Sequence, residues 1–427
     1  LHLKNSYQYE NTLDFAKKLD AADDLKHFRE RFYIPEQNGK SLIYFCGNSL
    51  GLQPRTARNF IESEMLQWQN LAVEGHFMGE KPWMYYHKLF KNSLAKLTGA
   101  LPSEVIAMNN LTTNLHLALV SFYRPSQKKY KILCEGGAFP SDQYALESQV
   151  RFHGFTPDDA IVELLPENGE QILKTENILQ KIDSLKDELA LVMLGGVNYY
   201  TGQLFDLQAI SKKCNELNIP VGFDLAHAIG NAVLQLHDWQ VDFAVWCSYK
   251  YLNSGPGSVG GMFVHEKHGN NTDLPRFAGW WGHDEQSRFQ MKKGFIPMTG
   301  VDGWQLANAG ILGMAAHLAS LEIFDEAGVE KLRSKSEKLT GFLEYLINSN
   351  PRLNSALTII TPNNPMERGC QLSIHVKKNG RNLFEKISAK GLIGDWREPD
   401  VIRLSPVPLY NTFEEVWQAE QILSESV

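Results

Sequence analysis

Between residues 130 and 265 the chain alternates short apolar runs with amphipathic ones, an order that few folds accommodate. Tyr130 to Cys134, Ala190 to Leu194, Pro220 to Asp224, Val241 to Cys247 and Gly261 to His265 read as short buried strands, each ending near polar or glycine-rich residues. Asn59 to Leu71, Asn114 to Phe122, Ser141 to His153 and Leu207 to Leu217 carry apolar residues at helical spacing and read as covering helices. The pattern predicts an α/β fold built on a mostly parallel sheet.

The character changes after about Gly310. Long helical patterns at Ile311 to Glu326 and Glu330 to Asn348 lead into a short α+β tail, with Gly369 to Val376, a helical run at Arg381 to Lys390, and Val401 to Leu404. The expected organisation is a large domain over 46–310, a smaller α+β domain over 311–427, and an N-terminal segment, 1–45, packing with the smaller one. A chain of 427 residues is long enough to bury two such cores.

Composition excludes several roles. Lys+Arg 42 against Asp+Glu 49 gives a net charge of −7, so no general field attracts nucleic acid or an anionic membrane. Five cysteines, at 46, 134, 214, 247 and 370, form no CxxC pair and are odd in number. That set argues against a disulfide framework or a zinc site, so no metal is expected, and it suits a reducing compartment. No apolar run reaches membrane-spanning length, and Leu1 to Tyr7 has no signal-peptide pattern. A cytoplasmic location is the expectation.

The chemistry concentrates at strand ends, where open α/β sheets bind ligands. Lys250 follows the apolar run ending at Cys247 and precedes a turn, Gly255-Pro256-Gly257. A lysine there is poorly placed for a salt bridge and well placed to form a Schiff base, and the glycines let backbone approach a ligand. Asp224 and His227 lie at the end of another apolar run. An acid at that point can hold a pyridine nitrogen protonated, and His227 can orient the acid or touch the cofactor rim. Each alone has a plainer reading: Asp224 as a helix cap, His227 as a buried core histidine, Lys250 as a surface lysine. Together they point to pyridoxal phosphate. Asn110-Leu111-Thr112-Thr113-Asn114 precedes a helical run and offers N–H groups to a phosphate, or simply caps the helix. Phe139, in Phe139-Pro140-Ser141-Asp142, is either a ring-stacking surface or core.

With these residues in view, the chain resembles the kynureninase family, within the fold-type I, class V aminotransferase-like pyridoxal-phosphate enzymes. The resemblance runs nearly end to end, through 44–54, 139–142, 200–203, 221–231, 246–253, 279–283, 368–373 and 406–411. The lysine segment alone marks the superfamily. Tyr249, where many relatives carry His, and Gly279-Trp280-Trp281-Gly282-His283 narrow it to kynureninase.

The resemblance implies hydrolysis of the Cβ–Cγ bond of L-kynurenine or 3-hydroxykynurenine, giving L-alanine and anthranilate or its hydroxy form, in tryptophan catabolism or NAD biosynthesis. It assigns Lys250 to the Schiff base and Cα proton, Asp224 to the pyridine nitrogen, and Phe139 to stacking on the ring. Leu111 and Thr112 serve the phosphate; Ser141, Asp142, His227 and Tyr249 line the cofactor, and Tyr249 is the candidate proton donor to Cβ. Arg403 takes the substrate α-carboxylate, and its apolar neighbours Ile402 and Leu404 suggest a strand with the guanidinium facing inward. His76 and Asn308 match positions lining the aryl pocket. Trp280 and Asn308 match residues supplied by a neighbouring subunit, which implies a homodimer with a shared site. Gly195 departs from the Ser expected there, so a water or backbone amide is expected to replace that contact.

Two rival readings fit less well. A related lyase such as a cysteine desulfurase needs a nucleophilic cysteine on a mobile loop, whereas Cys370 falls in a strand-like run and Cys247 beside the lysine. A non-catalytic pyridoxal-phosphate regulator would carry a DNA-binding module, and no basic segment of that kind is present.

Overall fold

The computed structural model describes residues 8–427, so the reading of Leu1 to Tyr7 lies outside the described residues. Seven strands form the central sheet: β1 (Val105–Ala107), β2 (Lys131–Glu135), β3 (Ile161–Leu164), β4 (Leu189–Gly195), β5 (Val221–Asp224), β6 (Phe243–Cys247) and β7 (Gly260–Val264). Their spatial order is β1-β7-β6-β5-β4-β2-β3. Strands β2 to β6 pair in parallel, and β7 runs antiparallel to both its neighbours.

Alternate residues of each strand face opposite cores. Leu133, Val192, Leu194, Ala244 and Trp246 pack on one side. Ile132, Cys134, Leu191, Met193, Phe243 and Val245 pack on the other. A strand buried on both faces reads as an unbroken apolar run, which is why these strands were visible in the sequence. Helices α1 (Leu13–Ala21), α2 (Ala57–Leu71), α3 (Leu111–Phe122), α4 (Pro140–Phe152), α5 (Leu207–Glu216) and α6 (Ile311–Ala327) come next in chain order. Of these, α3 and α4 cover one face of the sheet while α5 and α6 cover the other.

Beyond α6 lie α7 (Val329–Ser349), α8 (Gly380–Ala389) and α9 (Phe413–Ser426). A second, antiparallel sheet has the order β8-β9-β11-β10, from β8 (Leu357–Ile359), β9 (Leu372–Val376), β10 (Asp395–Arg397) and β11 (Val401–Leu404). Its core also takes Ala16 of α1, with Tyr9 and Phe15 packed against it. Asp20 at the end of α1 accepts the N–H groups of Phe413 and Glu414 at 2.7 and 2.9 Å, satisfying donors at the start of α9. Lys335 and Asp23, both buried, form an ion pair at 2.7 Å.

Some boundaries differ from the sequence reading. The strand expected over Val241 to Cys247 begins only at Phe243 and ends at Cys247 as expected, with Ser248 to Lys250 in a bend. Helix α3 starts at Leu111, three residues ahead of the expected Asn114, because the Asn110 side chain accepts the Thr113 N–H at 3.0 Å and sets the helix start there. Among the described residues no helix is long and apolar enough to cross a membrane.

Candidate active site

The connections between strands reverse direction between β2 and β4, and the residues of interest surround that switch point. Glu135, the last residue of β2, is buried and accepts the Gly195 N–H with both carboxylate oxygens, at 3.1 and 3.0 Å. A side chain at 195 would stand 2.9 Å from Glu135 Oε1. The expected polar contact at Gly195 is thus a backbone amide spent on a buried acid. Burial pushes the Glu135 carboxyl up to about 7, against the pull of that amide.

Phe139 and Asp142 follow on the turn into α4. The Phe139 ring, partly exposed, meets Tyr199 edge-on at 5.3 Å between centroids. Ser141 lies beside it in the first turn of α4. Asp142 is buried and hydrogen-bonded to Asp224, the last residue of β5. Burial raises both carboxyls above their ordinary range; within the pair their shared hydrogen bond raises Asp142 and lowers Asp224. The two carboxyls sit as one buried pair, with Lys250 as the nearby cation that favours their charged forms. The Ala226 N–H donates to Asp224 Oδ1 at 2.7 Å.

Lys250 comes from the bend after β6. Its Nζ lies 2.9 Å from His227 Nε2 and 5.6 Å from the Phe139 ring centroid. His227, expected to orient the acid or touch the cofactor rim, has its Nε2 against the lysine. Burial, and then the charges of Lys250, Arg403 and Arg397, hold the His227 imidazole well below its ordinary range. It is neutral at pH 7, accepting at Nε2, which puts its hydrogen on Nδ1.

Tyr249 is half-buried with its phenol against the Cys247 thiol. Burial raises its pKa, and the thiol adds to the rise. The break in the strand lets Tyr249 and Lys250 serve one site from adjacent positions, which a regular strand would forbid.

The start of α3, with Leu111 and Thr112, lies against the next strand. A Cβ on Gly260 would approach Asn110 C and Leu111 N to 3.0 Å, and Gly260 pairs with Cys247 across the sheet. Asn114 fixes this approach: its Nδ2 donates to the carbonyls of Met108 and Gly261, and its Oδ1 accepts from Asn109. A helix N-terminus thus stands beside the strand that leads to Tyr249 and Lys250.

Arg403 on β11 is fully buried. Its Nη1 donates to the Tyr199 carbonyl at 2.6 Å, and its Nη2 to Ser49 Oγ at 3.2 Å and to Asp395. Tyr199 therefore touches both Phe139 and Arg403, joining the two sheets at one place. His76, Trp280 and Asn308 lie elsewhere on this protomer. His76 packs edge-on against Trp83 at 5.4 Å, Trp280 against Phe289 at 5.5 Å, and Asn308 is exposed.

Asp142 Oδ1 and His227 Nδ1, both buried beside Lys250 and Asp224, have no protein partner. The adjacent carboxyls Asp142 and Asp224 have Lys250 as the cation that offsets them. A flat, cationic heteroaromatic ring with an anionic tail suits this cluster: its nitrogen at Asp224, a face at Phe139, the tail at the α3 start. Pyridoxal phosphate is such a group. A cavity of about 440 Å³ lined by Ile172, Gln203, Asp206 and Trp239 holds none of these groups.

Sequence reasoning named Lys250, Asp224, His227, Phe139, Asp142 and Arg403, but not Glu135, Ser49, Tyr199, Asp395 or Arg397 as site residues. Glu135 had a signal, an acid at the carboxyl end of an apolar run. The others had none, because their partners are remote in sequence.

Residues 332–423 match the family described as Kynureninase C-terminal domain. A protein named Kynureninase from Flavobacterium psychrophilum is 53% identical over 420 residues, covering 98% of this chain and 99% of the relative. A Kynureninase from Myxococcus xanthus is 52% identical over 96% of each chain, and one from Stenotrophomonas maltophilia 54% identical over 94% of this chain and 95% of its own. Among solved structures, a cysteine desulfurase from Thermococcus onnurineus aligns with a TM-score of 0.74 at 16% identity, covering 90% of this chain and 94% of that one. A cysteine desulfurase from Escherichia coli aligns with the same score at 15% identity, over 94% and 98%. These structures share the fold.

Proposed function

The chain belongs to the kynureninase family, and on that premise we propose how its residues divide the work. The protein is a pyridoxal-phosphate enzyme that hydrolyses the Cβ–Cγ bond of kynurenine to L-alanine and an anthranilate. The cofactor, when bound, joins amines at its aldehyde carbon and withdraws electrons from the attached amino acid. The observation that carries the residue assignment is the Lys250–His227 pair at 2.9 Å, set between Phe139 and the buried Asp142–Asp224 acids.

Lys250 Nζ is the amine that attaches the cofactor and afterwards moves the substrate's Cα proton. Neutral His227 holds that nitrogen in place without competing for charge. Asp224 keeps the pyridine nitrogen protonated, and the hydrogen bond it shares with Asp142 fixes it in place. Phe139 covers a ring face, while Leu111, Thr112 and Ser141 serve the phosphate end. Arg403 binds the α-carboxylate with a planar fork. Tyr249 delivers the proton that the Cβ of the departing alanyl fragment needs once the bond breaks; its raised pKa keeps the phenol protonated until then.

Trp280 and Asn308 act on the site of a second copy, and His76 and Asn308 line the pocket for the substrate's aryl ring. An exposed apolar surface supports this, including Leu66 and Trp68 of α2, Phe77, Trp280 and Phe289. We further propose that the enzyme works in the cytoplasm, since all five cysteines are unpaired. A desulfurase role has no such support, because Cys370 is fully buried and its thiol is pushed up to about 12 by that burial.

The test is direct. Protein loaded with pyridoxal phosphate should show an absorption band that borohydride abolishes, with the label mapping to Lys250. L-kynurenine should then release fluorescent anthranilate. Protein that takes up no cofactor, or consumes cysteine and not kynurenine, overturns the reading.

A further inference from the structure

The guanidinium assigned to the substrate carboxylate already faces a carboxylate of the protein. Strands β10 and β11 pair so that Asp395 stands directly across from Arg403. Asp395 Oδ2 accepts from Arg403 Nη2, from Ser49 Oγ, and from Arg397 Nη2 at 3.1 Å. Arg397 lies 6.0 Å from the Tyr199 ring, so it belongs to the same corner of the site as Phe139 and Arg403.

Two features mark this group as unfinished. Arg403 Nε and Arg397 Nε are both buried without an acceptor, and a charged donor left in that state is costly. Two arginines face one aspartate, so the cluster carries one positive charge in excess, the charge that a single carboxylate would balance. Both arginines also bear on His227, whose imidazole stays neutral in their presence.

We propose that Asp395 is a stand-in for the substrate's α-carboxylate, holding Arg403 in place until substrate arrives and then shifting to Arg397, which is positioned to receive it. The inference rests on the assignment of Arg403 to the substrate. It makes Asp395 and Arg397 positioning residues. Asp395 keeps a buried cation oriented and partly neutralised, and the incoming carboxylate exchanges one anionic partner of Arg403 for another. Arg397, half-exposed and already in contact with the same oxygen, gives Asp395 a partner after the exchange. A competing anion of this kind lowers affinity for every carboxylate ligand and so favours release of L-alanine.

The experiment uses holoenzyme of wild type, Asp395→Asn and Arg397→Gln. It measures KM for L-kynurenine, Ki for L-alanine, and Ki for the amine that lacks kynurenine's carboxyl group. Removing the competing charge in Asp395→Asn should lower the KM and the alanine Ki by about three- to tenfold, the effect of losing one partly screened charge, and leave the amine's Ki unchanged. Arg397→Gln should raise the alanine Ki, because Asp395 then stays on Arg403, again without moving the amine's Ki.

If Asp395→Asn instead raises the alanine Ki, Asp395 merely anchors Arg403 and the proposal is wrong. Equal effects on the amine would overturn it too. Should Asp395→Asn fail to fold, Arg397→Gln decides alone, and an unchanged alanine Ki rejects the exchange. Wild-type enzyme that releases no anthranilate would count against the functional reading itself, a result separable from these.

Discussion

Burial raises the pKa of both Tyr249 and Glu135, and the difference in their neighbours decides what each does. Tyr249 adjoins the reacting lysine, so Tyr249→Phe should cut kcat by about 10²- to 10⁴-fold, the usual contribution of a positioned acid. The cofactor absorption band should remain; a kcat within a few-fold of wild type would move the donor role elsewhere. Glu135 instead titrates inside the fold. Its carboxyl rises from an ordinary 4.5 to about 7, chiefly by burial, so the folded chain keeps a proton that the unfolded chain loses across that window. Stability should therefore fall as pH rises from about 4.5 to 7 and level off above, by at most about 3 kcal/mol from this group. Glu135→Gln should shrink the difference in melting temperature between pH 5 and pH 8 in cofactor-free protein. An undiminished difference would assign the slope to Asp142 and Asp224, which act with the same sign. At this scale Lys250, Asp224 and His227 were legible because each sits in a short motif whose chemistry is local. Glu135 makes its contact 60 residues away, and Arg403 reaches Ser49 across 354, and no periodicity encodes such meetings.

Elements were legible in proportion to their burial. Strands β2, β4, β5 and β6 announce themselves as apolar runs, whereas β1, β8 and β10 have three residues each and gain their identity only from pairing. Helix α9 was readable on different grounds. Thr412 and Glu415 form a capping box at its start, a T-x-x-E signature present in the sequence but not taken up there. The element that matters most to the cofactor is the start of α3, held down on Gly260. A Cβ there would meet the Trp246 carbonyl at 2.8 Å and the backbone at Asn110 and Leu111, none of which is the yielding end of a side chain. Gly260→Ala should lift the helix start and weaken pyridoxal phosphate binding by about tenfold, about 1.4 kcal/mol, while the far-ultraviolet spectrum stays native. Cofactor titration by absorbance checks this, and unchanged affinity would remove α3 from the phosphate site.

At the scale of the whole molecule, the sequence conveyed an α/β sheet but not what lies beyond one chain. The alternation of apolar runs reports on surfaces buried within a protomer. A surface that a second copy would cover reads as a few stray hydrophobic residues on otherwise polar helices, and exposed Trp68 on α2 is one such residue of the proposed dimer face. Trp68→Glu should convert a dimer into a 48.4 kDa monomer in sedimentation experiments and abolish turnover with it. Turnover by a stable monomer would show that Trp280 and Asn308 are not shared between subunits.

The antiparallel run of β7 has a consequence for how such an enzyme can vary. Because β7 begins at the same edge where β6 ends, the lysine and the glycine beneath α3 are separated by only the nine residues 251–259 along the chain. In the proposed site that segment is a fixed-length tether between the two ends of the cofactor. Lengthening or shortening it by a single residue would shift one attachment point against the other, so insertions should be tolerated on the outer loops long before they are tolerated here.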